Sequence, residues 1–147
     1  MNIYFSCSLT GGREYEGIYG LIVDHLASQG CEVLTAHLAD PGVMEVEKFV
    51  DANEVYHRDI NWIDGCDAVI AEVSTPSHGV GYEIAYALGK GKPVLCCYEQ
   101  GVTVSKMIVG NDSASLTLGT YEDSEQVLDV IDSFINGLPQ ELGEEIV

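Results

Sequence analysis

The stretch DAVIAEVSTPSHGVGYEIAYALGKGKPVLCC, residues 67–97, decides the fold class of this chain. It opens with a strand-length apolar run at Asp67–Glu72, passes through a loop rich in hydroxyl and glycine residues into a helical stretch at about Gly81–Leu88, and ends in a second apolar run at Pro93–Cys97. The residues Gly89-Lys90-Gly91 end the helix before Pro93. This order is typical of a β-α-β unit with parallel strands.

The same alternation continues on both sides of this unit. Further strands are predicted at three short runs rich in apolar or β-branched residues, which are Ile3–Cys7, Cys31–Thr35 and Ser115–Leu118. Further helices are predicted at four longer stretches, which are Glu14–Gln29, Val46–Ile63, Val104–Val109 and Ser124–Asn136. The sequence therefore predicts an α/β fold in which a sheet of five mostly parallel strands is covered by helices on both faces.

Length and composition indicate the general class of protein. The 147 residues, 46% of them hydrophobic, suit one domain over residues 1–147 with an acidic tail at about 139–147. The longest uncharged apolar runs are only strand-length, so no membrane span is predicted. Met1-Asn2-Ile3 carries no basic residue before the first apolar run, so no secretory signal is predicted.

Net charge and cysteine content exclude several kinds of ligand and indicate the cellular compartment. A formal net charge of -18, from 24 acidic and 6 basic residues, argues against nucleic-acid binding through phosphate neutralisation. The five cysteines include no Cys-x-x-Cys pair and no matching His spacing, which argues against a disulfide framework or a zinc site. Such thiols suit a reducing compartment, so a cytoplasmic location is expected.

Ligands of open parallel sheets bind beyond the carboxyl ends of the strands, where loops lead into helices. The first such loop is Ser6-Cys7-Ser8-Leu9-Thr10-Gly11-Gly12-Arg13, directly before a predicted helix. Glycines allow close approach of the backbone to an anion, and hydroxyls donate to its oxygens, so the loop is a candidate phosphate cradle. A simple tight turn is the equal alternative. The loop matches neither a Walker loop nor a dinucleotide fingerprint, so ATP and NAD are not predicted as ligands.

The second loop leads from Glu72 to Glu83 and again brings hydroxyls and glycines to a helix N-terminus. Glu83 is predicted to lie in the first helical turn, where the helix dipole favours an ionised carboxylate that could face the cleft. A glutamate at the start of a helix is, however, more often a solvated cap.

The third element is Tyr56-His57-Arg58-Asp59-Ile60-Asn61-Trp62-Ile63, at the end of the second predicted helix. Asp59 beside apolar and aromatic residues would be partly desolvated, which raises the pKa of a carboxyl group and suits it to donating a proton. The alternative is an ion pair of Asp59 with Arg58 or Arg13, and the residues alone favour that alternative.

Taken together, three segments resemble the nucleoside 2-deoxyribosyltransferase family. They are Tyr4-Phe5-x-x-Ser8-x-x-Gly11-Gly12-Arg13, Asp59-Ile60-Asn61-Trp62 and Ala71-Glu72-Val73-x-x-Pro76-Ser77-x-Gly79-Val80-Gly81-Tyr82-Glu83. The resemblance runs from Met1 to about Phe134, and the Pro76–Glu83 motif is its specific part. The likeness is greater to the hydrolytic branch, the 2'-deoxynucleoside 5'-phosphate N-hydrolases.

This resemblance implies a flavodoxin-like, Rossmann-like fold of three layers and a homodimer. It implies hydrolysis of a 2'-deoxynucleoside 5'-monophosphate to free base and 2-deoxyribose 5-phosphate, with no metal or organic cofactor. By matching position, Glu83 would be the nucleophile that forms a covalent glycosyl-enzyme intermediate, Tyr4 would hold its carboxylate, and Asp59 would assist departure of the base.

The resemblance also implies which residues bind substrate. In the two loops these are Ser8, Gly11, Gly12, Arg13, Ser77 and Gly79, of which Ser8, Ser77 and Gly79 match positions that recognise the phosphate. Ser105 would reach the phosphate from the other subunit of the homodimer. His37 matches a residue on the base side of the pocket; without the family it would be interpreted as a surface or core histidine.

The chain departs from the family in the first loop. Its relatives have glycine at the place of Cys7 and arginine at the place of Thr10, so a positive charge beside the expected anion is lost. Arg13, Lys106 or a protonated His78 could compensate, although a solvated histidine is an equal alternative for His78. Three other functions stay open: base exchange on free deoxynucleosides by a transferase, cleavage of ribonucleotides, and nucleotide binding without turnover.

Overall fold

A computed structural model describes residues 1–139, in which strands and helices alternate along the chain. The strands are β1 (Asn2–Ser6), β2 (Glu32–Val33), β3 (Ala68–Glu72), β4 (Val94–Glu99) and β5 (Leu116–Tyr121). The helices are α1 (Glu16–Ser28), α2 (Val43–Glu47), α3 (Ala52–Gly65), α4 (His78–Gly89), α5 (Lys106–Val109) and α6 (Ser124–Asn136), with a 3₁₀ turn at Ala36–Ala39. Apart from Pro139, the predicted acidic tail lies outside the described residues.

All five strands pair in parallel, in the order β2-β1-β3-β4-β5. This is the flavodoxin-like order, in which the chain winds outward in both directions from the β1/β3 pair and ligands bind at the carboxyl edge of that pair. Tyr4 lies beside Val69 and Ser6 beside Ala71. Since alternate residues of a strand point to the same face, Tyr4 and Ser6 share one face of β1.

Two apolar clusters lie on opposite faces of the sheet. On one face, Ile22 of α1 and Ile131 of α6 belong to the cluster built on Phe5. On the other face, Ile84 of α4 belongs to the cluster built on Val69, which also includes residues of α3. The predicted α/β class, with three layers and a five-stranded parallel sheet, is therefore confirmed. Among residues 1–139, the structure contains no helix with the length and apolar character needed to cross a bilayer.

One predicted helix is wrong as a single element. The stretch Val46–Ile63 is divided between α2 and α3, because Asp51 adopts an extended backbone (φ -61°, ψ 143°) that starts a new helix. The break lets Glu47 at the end of α2 reach the middle of α3, where its Oε1 accepts a hydrogen bond from Arg58 Nη1 at 2.9 Å.

Two further differences concern the loops at the carboxyl edge. Strand β2 is shorter than predicted, because the Thr35 side chain replaces the backbone ladder: its Oγ1 accepts from the Phe5 N–H at 2.9 Å and donates to the Phe5 carbonyl at 2.7 Å. Helix α4 begins at His78, earlier than predicted, because Ser77 Oγ caps it by accepting from the Val80 N–H at 3.4 Å. Glu83 therefore lies in the second turn of α4 and not in the first.

Candidate active site

Glu83 faces β1 from the second turn of α4. Its side chain is half-buried at the cavity, and desolvation is the main cause that raises the pKa of Glu83 to about 7. The hydroxyls of Tyr4 and Ser6 lower that pKa, and the charge of Asp59 raises it. The sequence predicted that Glu83 would lie in the first turn, where the helix dipole favours the ionised carboxylate; in the structure it lies one turn further on, and burial instead raises its pKa.

The hydroxyls of Tyr4 and Ser6 are buried on the face of β1 that Glu83 approaches. Both influence the Glu83 carboxyl group, yet neither completes a hydrogen bond among the described residues. Buried donors of this kind are usually satisfied, so they are available to a charged carboxylate once a ligand tightens the site. Ser6 was missed from the sequence, although the two-residue alternation of β1 places it on the same face as Tyr4.

Asp59 lies in the middle of α3. Both alternatives drawn from the sequence apply to it, since it forms an ion pair and is also partly desolvated. Its Oδ1 accepts a hydrogen bond from Arg58 Nε at 2.9 Å, so the ion pair exists. Burial is nevertheless the larger influence and raises the pKa of Asp59, while Arg58 lowers it. The carboxyl group is therefore held in place, and burial shifts its pKa in the direction that favours the protonated form.

Asp59 and Glu83 line the same cavity, which has a volume of about 370 Å³. This volume lies within the range of small-molecule sites. The other lining residues are Tyr56, Ile60, His78, Gly79 and Tyr82. A Cβ placed on Gly79 would lie 3.7 Å from Glu83 Oε1 and 4.0 Å from Ser77 Oγ, so this glycine leaves open the space between the Glu83 carboxyl group and the start of α4.

The two loops at the carboxyl edge are pressed together. A Cβ on Gly11 would lie 2.2 Å from the Pro76 carbonyl oxygen and 2.9 Å from Ser8 Oγ, so only glycine fits there. Gly12 adopts a φ of 127°, which L side chains rarely adopt. Ser8 Oγ is buried and completes no hydrogen bond among the described residues. The structure thus brings Gly11 and Ser8 beside Pro76, and Gly12 beside Thr75.

Comparison with known proteins identifies the family of this chain. Residues 3–130 match the family model described as nucleoside 2-deoxyribosyltransferase. The chain belongs to this family. The resemblance drawn from the sequence is confirmed.

Relatives of this nucleoside 2-deoxyribosyltransferase-family protein match nearly its whole length. It is 41% identical over 137 residues to the Methanosarcina mazei protein named "Putative 2'-deoxynucleoside 5'-phosphate N-hydrolase 1", covering 93% of this chain and 85% of that protein. It is 37% identical over 145 residues to the Rattus norvegicus 5-hydroxymethyl-dUMP N-hydrolase, covering 95% and 88%. The Clostridium botulinum CMP N-glycosidase structure covers 91% of this chain and 99% of its own with a TM-score of 0.71; at 18% identity this shows a shared fold alone.

In this family member the Arg13 side chain stabilises the loop of residues 6–13 through hydrogen bonds. Its guanidinium donates to Glu16 Oε1 at 3.1 Å and to the backbone carbonyls of Ser8, Leu38 and Asp40 at 3.2, 3.0 and 3.1 Å. It does not line the cavity shared by Asp59 and Glu83. The neighbouring Cys7 is buried, which raises the pKa of its thiol to about 12 and keeps it neutral.

His37 lies in the 3₁₀ turn after β2, on the Asp59 side of the site. Its Nε2 is 2.9 Å from Glu47 Oε1, and its ring meets the Trp62 ring edge-on at 5.7 Å between centroids. Arg58 also contacts both of these neighbours, through the Glu47 carboxylate and over the Trp62 ring. His37 is thus connected to Asp59 through Glu47 and Arg58, a link that no sequence motif indicated.

Ser105 lies before α5 and caps it by accepting from the Met107 N–H at 3.2 Å. It lines a second cavity of about 540 Å³ together with Ser77 and His78. Its contact with the site of another subunit stays a prediction. Within residues 1–139, no group of three or more His, Cys, Asp or Glu side chains is placed to hold a metal ion.

Proposed function

We propose that this protein hydrolyses the N-glycosidic bond of 2'-deoxynucleoside 5'-monophosphates, releasing free base and 2-deoxyribose 5-phosphate. The observation that carries the proposal is that Asp59 of α3 and Glu83 of α4 line one sugar-sized cavity between these two helices. Two carboxyl groups across a glycosidic bond are the usual machinery of such a reaction. The names of the Methanosarcina mazei and Rattus norvegicus relatives support the same reaction.

In the first step the Glu83 carboxylate attacks the anomeric carbon of the deoxyribose. The bond from that carbon to the base nitrogen breaks, its electron pair stays on the base, and Asp59 supplies a proton to the base. In the second step water attacks the same carbon, Asp59 takes a proton from that water, and the Glu83 ester bond breaks. The two displacements release 2-deoxyribose 5-phosphate with retained configuration.

Tyr4 is assigned to hold the Glu83 carboxylate, and Ser6 is assigned to assist it. Both hydroxyls are buried beside Glu83 with no other hydrogen bond among the described residues. A hydroxyl that donates to a carboxylate favours its ionised form. These two donors therefore help Glu83 to lose the proton that burial otherwise retains.

The 5'-phosphate is assigned to the start of α4. Ser77 and Gly79 lie at this helix N-terminus, where unpaired N–H groups and the helix dipole favour an anion. Ser8, Gly11 and Gly12 complete the cradle across the Gly11–Pro76 contact. The proposal assigns Arg13 to holding the loop, through its bonds to Leu38 and Asp40, and not to the phosphate itself.

The base is assigned to the side of Asp59 and His37. The proposal further takes residues 1–147 as one cytoplasmic domain that acts as a homodimer, with Ser105 of the partner subunit reaching the phosphate. Two exposed hydrophobic residues beside the cavities support a covered surface there: Met107 is 84% exposed and Tyr82 is 55% exposed. No cofactor or metal takes part in the proposed steps.

The test is a product assay on the purified protein. Incubation with dCMP, dGMP, dUMP and 5-hydroxymethyl-dUMP should release free base and 2-deoxyribose 5-phosphate from at least one of them, and Glu83→Gln should abolish the release. A matched control is Glu99→Gln, a glutamate at the end of β4 that does not line the Asp59/Glu83 cavity. If no monophosphate is cleaved, the proposal is wrong.

Base exchange on unphosphorylated deoxynucleosides is the second candidate, and one observation favours it. Among the described residues that line the two cavities beside α4, none is Lys or Arg. A phosphate would therefore rely on hydroxyls, His78 and backbone N–H groups. Incubation with a deoxynucleoside and a second free base distinguishes the two: a new deoxynucleoside as product supports transfer.

A further inference from the structure

Asp59, which lines the cavity, is connected to three charged or titratable side chains behind it, those of Arg58, Glu47 and His37. Glu47 Oε1 lies 2.9 Å from both His37 Nε2 and Arg58 Nη1. Arg58 Nε in turn donates to Asp59 Oδ1 at 2.9 Å. The Arg58 guanidinium lies over the Trp62 ring, 4.9 Å from its centroid, which fixes the plane of the guanidinium. The single positive charge of Arg58 is thus shared between two carboxyl groups.

This sharing matters for proton transfer from Asp59. A guanidinium in contact with one carboxylate strongly favours its ionised form, which opposes protonation. The second carboxylate, Glu47, offsets that influence, and its charge raises the pKa of Asp59. The Glu47 side chain is only 10% exposed, and its Oε2 completes no hydrogen bond among the described residues, so solvent screens its charge poorly.

We propose that Glu47 and Arg58 are positioning residues: Arg58 orients the Asp59 carboxyl group, and Glu47 offsets the charge of Arg58 so that Asp59 can carry a proton to the leaving base. This inference rests on the proposed function, since it assigns to Asp59 the role of acid. The other groups that face Asp59 are Glu83 and Tyr4 across the cavity, and His37 on the far side of Glu47.

Two substitutions should shift the pKa of Asp59 in opposite directions. Glu47→Gln keeps an oxygen for Arg58 but removes the offsetting charge, so the pKa of Asp59 should fall by about half a unit or more. Arg58→Gln removes the positive charge, so the pKa of Asp59 should rise. A purely structural role for either residue would not give shifts of opposite sign.

The matched control is Glu45→Gln. Glu45 lies on the same helix as Glu47, is 79% exposed and pairs with Lys48 at 2.6 Å, so its loss makes the same change in net charge away from Arg58. The pKa of Asp59 in this control should equal that of the wild type. Arg58→Lys, which keeps the charge, should return the pKa of Asp59 toward the wild-type value.

The primary measurement is a ¹³C NMR titration of the Asp59 carboxyl carbon in each variant, which needs no turnover. The second is the pH dependence of kcat/KM for the cleaved nucleotide. In Glu47→Gln the low-pH limb of this profile should shift to lower pH, because the pKa of Asp59 is lower. The maximum value of kcat/KM should be about threefold lower. The inference is overturned if Glu47→Gln titrates like Glu45→Gln, or if Glu47→Gln and Arg58→Gln shift Asp59 in the same direction. Absence of any cleavage by the wild type would refute the proposed function, while the titration would still decide the link from Glu47 to Asp59.

Discussion

Gly11 packs against Pro76 so closely that no side chain fits between them. A Cβ on Gly11 would lie 2.2 Å from the Pro76 carbonyl oxygen, which is backbone and cannot rotate away. We therefore expect Gly11→Ala to separate the two loops, to lower the free energy of unfolding by about 2 kcal/mol and to raise KM for the nucleotide. Thermal unfolding and steady-state kinetics measure both effects.

The control for this prediction is Gly20→Ala. Gly20 lies in the middle of α1, and a Cβ there would meet nothing within 4 Å. Alanine is the better helix former, so this variant should be more stable by about 0.5–1 kcal/mol and fully active. Equal stability of Gly11→Ala and the wild type would show that the loops are not held by the Gly11–Pro76 contact.

Substitution of Gly79 should alter the cavity without altering the stability of the fold. A Cβ on Gly79 would lie at ordinary contact distance, 3.7 Å from Glu83 Oε1, so Gly79→Ala should fold normally. The methyl group would nevertheless fill the space between Glu83 and Ser77, so kcat/KM should fall by about tenfold or more. Gly89→Ala, at the other end of the same helix with nothing within 4 Å, should keep full activity. Unchanged kinetics in Gly79→Ala would place the sugar elsewhere.

The architecture could be predicted because it depends on local patterns. Strand-length apolar runs, helical spacing and glycine punctuation define β3, α4 and β4, and the bounds of α6 agree with the prediction. The division between α2 and α3 was not predictable in this way, since the helical pattern runs through the break. The break is accompanied by tertiary contacts of Glu47 with Arg58 and His37, which the sequence pattern does not contain.

The site was predictable only in part, for a physical reason. Motif positions indicated Asp59 and Glu83, but the contacts that set their charge join residues distant in sequence. Arg13 bonds carbonyl groups of the 3₁₀ turn and the residue after it, and Asp59 is influenced by Glu47 through Arg58. Such contacts depend on side-chain direction after folding, which spacing along the chain does not encode.

The Glu83 carboxylate should lower the free energy of unfolding of the protein above neutral pH. Burial raises its pKa from 4.5 to about 7, so the folded state binds more protons than the unfolded state between these values. Stability contributed by this group is therefore present at low pH and lost as pH rises through about 7. Glu83→Gln, which cannot ionise, should be inactive and at pH 8 more stable than the wild type by ~2 kcal/mol.

Chemical denaturation of Glu83→Gln and the wild type at pH 4 and pH 8 measures this difference. The gap between the two proteins should nearly vanish at pH 4, where Glu83 is protonated. A gap that is independent of pH would mean that the Glu83 carboxyl group is hydrated in the folded protein.

Tyr4→Phe should show the influence of the buried hydroxyl on Glu83. The Tyr4 hydroxyl lowers the pKa of Glu83, so its removal should raise that pKa by about half a unit or more and lower the maximum of kcat/KM. Tyr86→Phe is the control, because the Tyr86 hydroxyl also donates to a carboxylate, Asp64 Oδ1 at 2.7 Å, but Tyr86 does not line the Asp59/Glu83 cavity. An equal loss of activity in both variants would argue for a packing effect alone.

The pH dependence of kcat/KM should be opposite for substrates whose leaving group does or does not need a proton. A nucleobase needs the proton of Asp59, so the reactive form of the Asp59/Glu83 pair carries one proton, and kcat/KM should fall as pH rises through about 7, the pKa of Glu83. With 4-nitrophenyl 2-deoxyribose 5-phosphate the leaving group departs as a stable anion, so only the ionised Glu83 carboxylate is needed. For this substrate kcat/KM should instead rise through about 7. Because both substrates use the same nucleophile, profiles of the same shape would show that Asp59 does not donate the proton.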